Sequence, residues 1–155
     1  MRIGVISEPE GENRVAIVPN SVKKLTKVGF KVFLEKGAGI KANYLDKEYS
    51  DAGATLSSRS EAISSDILIT INMLDKDDLR SGMILACVAD PFRHPEKIKD
   101  ALEKKITLFS MDMIPRRLSR AQSMDVNSSQ DNLAGYKAVL LGAANVPRGI
   151  PMMTT

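Results

Sequence analysis

Five short apolar runs, separated by segments with helical character, constrain the fold of this chain more than any other feature. Runs of this length, bounded by turn residues, are typical of strands buried on both faces of a sheet. Strands that alternate with helices favour parallel pairing through right-handed crossovers. The sequence therefore predicts an α/β fold with an open, mostly parallel five-stranded sheet of flavodoxin-like type, helices on both faces, and a long final helix. The predicted strands cover residues 2–7, 31–35, 66–71, 83–88 and 106–110.

Turn residues and helical periodicity place the helices. In the segment that follows Pro19, Val22, Leu25 and Val28 recur at helical spacing, and Gly29 supplies the stop. Further helices are predicted over residues 46–52, 60–64, 96–105 and about 131–144. For the last of these, Ser128 or Ser129 is the predicted N-cap.

The segment from Ile114 to Lys137 is unusually polar for a connection in a compact domain. Within a dozen residues it carries three arginines, a glutamine, an aspartate and several hydroxyls, and Pro115 introduces it. It follows the fifth predicted strand, and in open α/β sheets ligands bind beyond the carboxyl ends of the strands. Guanidinium, amide and carboxylate groups are the ones that a nucleotide's phosphates, carboxamide and ribose hydroxyls require. We therefore interpret this polar segment as a ligand-binding loop, although these residue types alone do not identify the ligand.

Composition and charge exclude several other classes of protein. The chain has 155 residues, 43% of them hydrophobic, and a net charge of +3 without a concentrated basic patch, which argues against nucleic-acid binding. Cys87 and His94 are single residues of their types, so neither a disulfide within the chain nor a structural zinc site is expected. Cys87 lies in an apolar run and is predicted to be buried. No signal peptide or membrane-spanning run is evident, which predicts a cytosolic domain without direct membrane insertion.

Gly37 and Gly39, followed by Ala42, match a dinucleotide-binding fingerprint only formally. The true fingerprint opens an apolar helix, whereas the residues that follow here are polar and aromatic. A plain glycine turn after the second strand is the favoured interpretation.

The segment PRRLSRAQSMDVNSSQDNLAGYK, residues 115–137, closely resembles the RQD loop and following helix of the alpha subunit, soluble domain I, of proton-translocating NAD(P) transhydrogenases. The first 54 residues are similar to the start of the same subunit and, more distantly, to alanine dehydrogenase. The resemblance implies that Arg117 and Gln122 face the nicotinamide end of NAD(H), and that Asp125 and Ser128 approach the adjoining ribose. Asn127 and Asp131 are more polar than the family tends to be at these positions.

The resemblance also implies partners and a location. NADP(H) would bind a separate domain, and hydride transfer between the two nucleotides would be coupled to proton translocation through membrane subunits. The full-length form would be a homodimer, cytoplasmic and peripheral to the inner membrane. No residue of this chain is expected to act as an independent catalytic group.

Alanine dehydrogenase remains the alternative within the resemblance. Such enzymes carry a lysine at the end of the third strand and a histidine after the fourth, where this chain has Asn72 and Asp90. Arg14 matches an arginine present in both groups and does not discriminate. Without a lysine or histidine, acid–base chemistry on an amino acid lacks an agent, so transhydrogenase is favoured. A non-catalytic interaction module, pairing through the small-residue face of the final helix, is the other alternative.

Two segments are predicted from these patterns. Residues 1–127 form an α/β lobe that ends in the RQD-type loop. Residues 128–155 are expected to form an inter-lobe helix, followed by a truncated connection to an NAD-binding Rossmann lobe that this sequence does not include. We therefore expect a fragment that binds NAD(H) weakly and is inactive by itself.

Overall fold

The computed structural model describes residues 1–149, and the chain divides into two compact units, Met1–Met113 and Ile114–Thr155. Residues 150–155, which make up most of the predicted lead into a further lobe, lie outside the described residues. The predicted boundary between residues 127 and 128 concerns the lobes of a longer protein and stays a prediction.

The first unit is built on a six-stranded sheet in which every pair of neighbouring strands is parallel. Its strands are β1 (Arg2–Val5), β2 (Lys31–Glu35), β3 (Thr55–Ser57), β4 (Ile67–Asn72), β5 (Ile84–Val88) and β6 (Thr107–Ser110). All five predicted strands are present, and the α/β fold class is confirmed. The sixth strand, β3, was missed because it has only three residues and no apolar run.

The described residues contain five α-helices. They are α1 (Pro19–Lys27), α2 (Asp46–Asp51), α3 (Arg59–Ile63), α4 (Pro95–Glu103) and α5 (Val126–Asn145). Pro19 and Pro95 occupy first-turn positions of α1 and α4, where a missing backbone N–H costs nothing. A 3-10 turn, Lys76–Asp78, lies in the connection from β4 to β5.

Two buried clusters lie on opposite faces of the sheet. On one face, Val5 and Leu34 pack with Val22 of α1 and Tyr49 of α2. The other cluster includes Leu68 of β4, Leu85 of β5, Ala62 of α3 and Ala101 of α4. Alternate residues of β4 contribute to different clusters, as the two-residue period of a strand requires. Helices therefore cover both faces, as predicted.

Cys87 is a core residue, as its apolar surroundings predicted. Its side chain is buried beside Met73, with the two sulfur atoms 3.7 Å apart. Burial raises the pKa of the thiol to about 12, so it stays protonated at neutral pH.

The strand order β3-β2-β1-β4-β5-β6 reverses direction between β1 and β4. The five predicted strands alone would give the flavodoxin-like order, and the short edge strand β3 extends it to the doubly wound order of dinucleotide-binding folds. The carboxyl ends of β1 and β4 flank the topological switch point, where such sheets bind ligands.

Gly4 allows α3 to approach β1 closely. A Cβ atom built at Gly4 would lie 2.0 Å from the carbonyl oxygen of Ala62 and 3.0 Å from Cδ1 of Leu68. Only glycine fits at this point of the sheet, because the nearest obstacle is backbone.

The second unit contains a 3-10 turn, Gln122–Met124, followed by α5. The long final helix was predicted, but it begins five residues earlier than expected. None of the helices in the described part of the chain combines the length and apolar character that crossing a bilayer requires.

Candidate functional site

Asp125 organises the end of the polar segment. Its carboxylate Oδ1 accepts a hydrogen bond from the backbone N–H of Ser128 at 2.9 Å, and Asp125 is thereby the N-cap of α5. The hydroxyl of Ser129 donates to the backbone oxygen of Asp125 at 3.1 Å. The prediction of Ser128 or Ser129 as the N-cap is therefore wrong. An aspartate satisfies the orphan N–H groups more favourably because its charge also suits the helix N-terminus.

The environment of Asp125 favours its ionised form. Hydrogen bonding by Ser128, through its hydroxyl and its backbone N–H, holds the pKa of Asp125 below its usual range, and the guanidinium of Arg116 adds to this. Nε of Arg116 lies 3.9 Å from Oδ2 of Asp125, which is an ion pair but too long for a hydrogen bond. An ionised carboxylate has about four acceptor positions. Asp125 therefore keeps the capacity to accept a further hydrogen bond from a ligand.

Arg117 and Gln122 present free polar groups in the same segment. Both residues are exposed, and within the described residues neither side chain makes a hydrogen bond or ion pair. The Gln122 backbone is fixed, because its N–H donates to the Leu118 carbonyl at 3.2 Å. Of the four predicted site residues, Asp125 and Ser128 are in direct contact, while Arg117 and Gln122 have side chains available for a ligand.

A cavity of about 340 Å³ opens at the switch point of the first unit. It is lined mainly by the loop after β1, the end of β4 and the residues that follow β4. Glu8 is its most buried charged group, with 8% of the residue exposed. Its carboxylate accepts from the backbone N–H groups of Ile71 (2.6 Å) and Asn72 (3.0 Å) and from the Asn72 side chain (3.0 Å).

Several other charged groups around this cavity form ion pairs. The guanidinium of Arg59 lies 2.6 Å from the carboxylate of Asp78 and 3.3 Å from that of Glu35. Lys97 contacts Asp75 at 3.2 Å. These pairs compensate part of the charge around the cavity.

Arg14, in the loop after β1, forms a bidentate pair with Glu12. Its Nε donates to Oε1 at 2.9 Å and its NH2 group to Oε2 at 2.6 Å. The hydrogen bonds from the Arg14 side chain lower the pKa of Glu12 from 4.5 to about 2. The arginine shared by the two groups of enzymes is thus held by a carboxylate of its own loop.

The two positions that were compared with alanine dehydrogenase have structural roles in this chain. Asn72 donates its side-chain amide to Glu8. Asp90 adopts a left-handed backbone conformation with φ of 43°, and its carboxylate lies 3.6 Å from Nε of Arg93. Neither position carries a histidine or lysine side chain.

Gly37 has a φ of +82° in a turn after β2, so the glycine-turn interpretation is confirmed. Among the described residues, no group of three or more His, Cys, Asp or Glu side chains is arranged to hold a metal ion.

Comparison with known proteins adds to this geometry. Residues 4–134 match the family described as "Alanine dehydrogenase/PNT, N-terminal domain". The chain belongs to this family. An NAD(P) transhydrogenase alpha subunit of Rhodospirillum rubrum is 39% identical over 166 residues, covering 100% of this chain and 43% of that protein. The alanine dehydrogenase of Methanococcus maripaludis is 30% identical over 149 residues, covering 92% of this chain and 39% of that protein.

The family fold is also seen in solved structures. A transhydrogenase from Sinorhizobium meliloti matches with a TM-score of 0.92 and 38% identity, over 100% of this chain and 48% of that one. An L-alanine dehydrogenase matches with a TM-score of 0.73 and 26% identity, over 78% of this chain and 34% of that one. This family member spans less than half the length of these relatives, and it is homologous to the N-terminal domain of the transhydrogenase alpha subunit.

Two residues that shape these sites, Glu8 and Arg116, were missed by the sequence patterns. The donors to Glu8 lie 63 and 64 residues away on another strand, so no local pattern reveals them. Arg116 stands beside Arg117 in sequence, and only the structure distinguishes the arginine paired with carboxylates from its unpaired neighbour.

Proposed function

We propose that this chain is the N-terminal part of the NAD(H)-binding subunit of an NAD(P) transhydrogenase, and that its polar segment contacts the nicotinamide and ribose of NAD(H). The observation that carries the proposal is that three polar side chains of this segment can still form hydrogen bonds with a ligand. Arg117 and Gln122 are exposed without a partner among the described residues, and the ionised carboxylate of Asp125 keeps spare acceptor capacity. These groups all belong to the stretch of residues 117–125 within the polar segment.

Each group suits a part of the nucleotide. The amide of Gln122 can donate and accept at once, as a nicotinamide carboxamide requires. The carboxylate of Asp125 can accept from a ribose hydroxyl, as acidic residues do in other dinucleotide sites, and the Ser128 hydroxyl can contact the same sugar. Arg117 supplies charge-assisted hydrogen bonds to a carboxamide or phosphate oxygen. NAD(H), when bound, supplies the hydride chemistry.

The chain's own contribution is to bind and orient. Hydride transfer between two nicotinamides requires juxtaposed rings, and it needs no general acid or base from the protein. The low pKa of Asp125 keeps that carboxylate an acceptor throughout the neutral range. No group of this chain is assigned an independent catalytic role, and the chain by itself is expected to be inactive.

The larger assembly belongs to the same proposal. NADP(H) would bind a separate partner domain, and the transhydrogenase's membrane and NADP-binding subunits would couple hydride transfer to proton translocation. The complete subunit would be a homodimer located on the cytoplasmic side, peripheral to the inner membrane.

The test is isothermal calorimetry of NADH with the 155-residue chain and with two variants. We expect weak, millimolar-range binding that is abolished in Arg117→Ala. Arg120→Ala is the matched control, because Arg120 is an exposed arginine of the same segment that makes no ion pair within the described residues. Equal loss in both variants, or unchanged binding in Arg117→Ala, would contradict the proposal.

Exposed apolar side chains on α5 favour a second candidate, a non-catalytic interaction module. Leu133, Tyr136 and Val139 are between 60% and 70% exposed, which is unusual for large apolar residues on one helix. A chain that forms a stable dimer in sedimentation equilibrium but binds no NADH would support this candidate. A monomer that binds NADH would exclude it.

An alanine dehydrogenase-like function is the remaining alternative and is less well supported. Asn72 and Asp90 stand where that group has its lysine and histidine, and their side chains contact Glu8 and Arg93 respectively. Pyruvate binding comparable with NADH binding in the same calorimeter would favour it.

A further inference from the structure

Arg116 differs from the other arginines of the polar segment in lying between two carboxylates. Its Nε is 3.9 Å from Oδ2 of Asp125, and its NH2 group is 3.4 Å from Oδ2 of Asp131. Arg117 and Arg120 make no ion pair within the described residues. The segment therefore contains one arginine engaged with its own chain and two with free guanidinium groups.

The two contacts of Arg116 connect the beginning and the end of the loop from Arg116 to Asp125. Arg116 stands near the start of the segment, Asp125 is the N-cap of α5, and Asp131 lies in the second turn of that helix. The two ion pairs join the entrance of the loop to its exit, with Arg117 and Gln122 on the chain between them. The Asp125 side chain is 9% exposed, which is less than the side chains of Arg116 and Asp131.

Surface ion pairs usually contribute little alone, and both Arg116 and Asp131 are more than half exposed. A guanidinium shared by two carboxylates is held in position better than one in an isolated pair. The expected effect of the Arg116 contacts is therefore to order the loop. A loop that is ordered before binding saves the conformational entropy that a ligand would otherwise have to offset.

We propose that Arg116 is a positioning residue of the nucleotide site, which holds the loop from Arg116 to Asp125 closed through Asp125 and Asp131. This inference rests on the proposed function of the polar segment. It also assigns a role to Asp131, the charge that departs from the family pattern. Asp131 provides the second carboxylate contact of Arg116 and so anchors its guanidinium to α5.

The test compares Arg116→Gln with Arg120→Gln, which removes the same charge from the same segment. We expect Arg116→Gln to weaken NADH binding to the full chain about three- to tenfold, the range set by the loss of one ion-pair network and some loop order. Arg120→Gln should change it less than about twofold, as expected for an exposed charge without a partner. Asp131→Asn should weaken binding, and the double variant Arg116→Gln with Asp131→Asn should be no weaker than Arg116→Gln alone.

An NMR titration of the Asp125 carboxyl supplies a readout that does not need the nucleotide. The pKa of Asp125 should rise toward its ordinary value in Arg116→Gln and stay unchanged in Arg120→Gln. Equal effects of the two variants on both measurements would overturn the inference, because Arg116 would then act only through general charge.

The two proposals fail in distinguishable ways. If the unmodified chain binds no NADH, the proposed function fails, and the Asp125 titration still decides whether Arg116 positions that carboxylate. If the chain binds NADH and Arg117→Ala abolishes binding while Arg116→Gln does not weaken it, only the positioning role fails.

Discussion

At the scale of the residue, small chemical details decide what each position can tolerate. Gly4 is required by the approach of the α3 backbone, and Arg14 is held by two short hydrogen bonds from its side chain to Glu12. Neither constraint is visible in the sequence. The backbone that requires glycine at position 4 is 58 residues away, and the Arg14–Glu12 contact needs a specific loop conformation.

Replacing Gly4 with alanine tests the close packing of α3 on β1. The added Cβ would lie 2.0 Å from the Ala62 carbonyl oxygen, so the helix or the strand must shift. We expect the free energy of unfolding, measured by urea denaturation, to fall by about 1–3 kcal/mol, as overpacking generally costs. Gly142→Ala is the control, since a Cβ there meets nothing within 4 Å, and it should not destabilise the chain. An unchanged stability in Gly4→Ala would contradict the close approach of helix and strand.

The Glu12–Arg14 pair makes a defined contribution to the pH dependence of stability. Because the pKa of Glu12 is lowered from 4.5 to about 2, the folded state releases this proton more readily than the unfolded state. The stabilisation is therefore fully present above pH 4.5 and is lost as the pH falls toward 2. Arg14 is half exposed, so solvent screening limits the effect to about 1 kcal/mol.

The measurement is the difference in unfolding free energy between the natural chain and Arg14→Gln, followed from neutral to acid pH. This difference should shrink through the same window in which Glu12 takes up its proton. A difference that stays constant across the window would show that Arg14 stabilises the chain by some means other than this pair.

At the scale of the element, side chains from one segment complete the hydrogen bonding of another. Asp125 caps α5, and Glu8 accepts from backbone groups at the end of β4, where the register with β5 shifts. Sequence patterns predicted five of the six strands and the presence of α5, because apolar period and length are local properties. They missed the cap and the Glu8 contacts, because several residues could serve as a cap and distant backbone donors leave no sequence pattern.

Asp125 has a structural role and a proposed ligand role, and two variants separate them. Asn can accept the Ser128 N–H as Asp does, so Asp125→Asn should keep the helix content, whereas Asp125→Ala should lose part of the first turn of α5. Circular dichroism and backbone chemical shifts report this difference. If Asp125→Ala retains the full helix, the cap does not determine where α5 begins.

Hydrogen bonds to the Glu8 carboxylate connect the loop after β1 to the end of β4. Glu8→Gln replaces one acceptor oxygen with an NH2 group that faces N–H donors, and we expect it to lower the free energy of unfolding by about 1–3 kcal/mol. Glu10→Gln is the control, because Glu10 is exposed in the same loop and makes no hydrogen bond within the described residues. Equal, small changes in thermal unfolding for the two variants would contradict the role of Glu8.

At the scale of the whole molecule, the strand order determines where ligands are expected. The five predicted strands suffice for the fold class, and the short strand β3 changes the order only at the sheet's edge. The position of the switch point between β1 and β4 follows from the order and not from any motif. The polar segment after β6 was found from sequence alone, because its density of hydrogen-bonding side chains is a local feature.

The central claim, that the polar segment binds NAD(H), is tested most directly by an NMR titration of the isotopically labelled 155-residue chain with NADH. We predict saturable shifts that are concentrated in the backbone amides of residues 117–128 and are absent in Arg117→Ala. Shifts that avoid this segment, or that persist unchanged in Arg117→Ala, would contradict the claim.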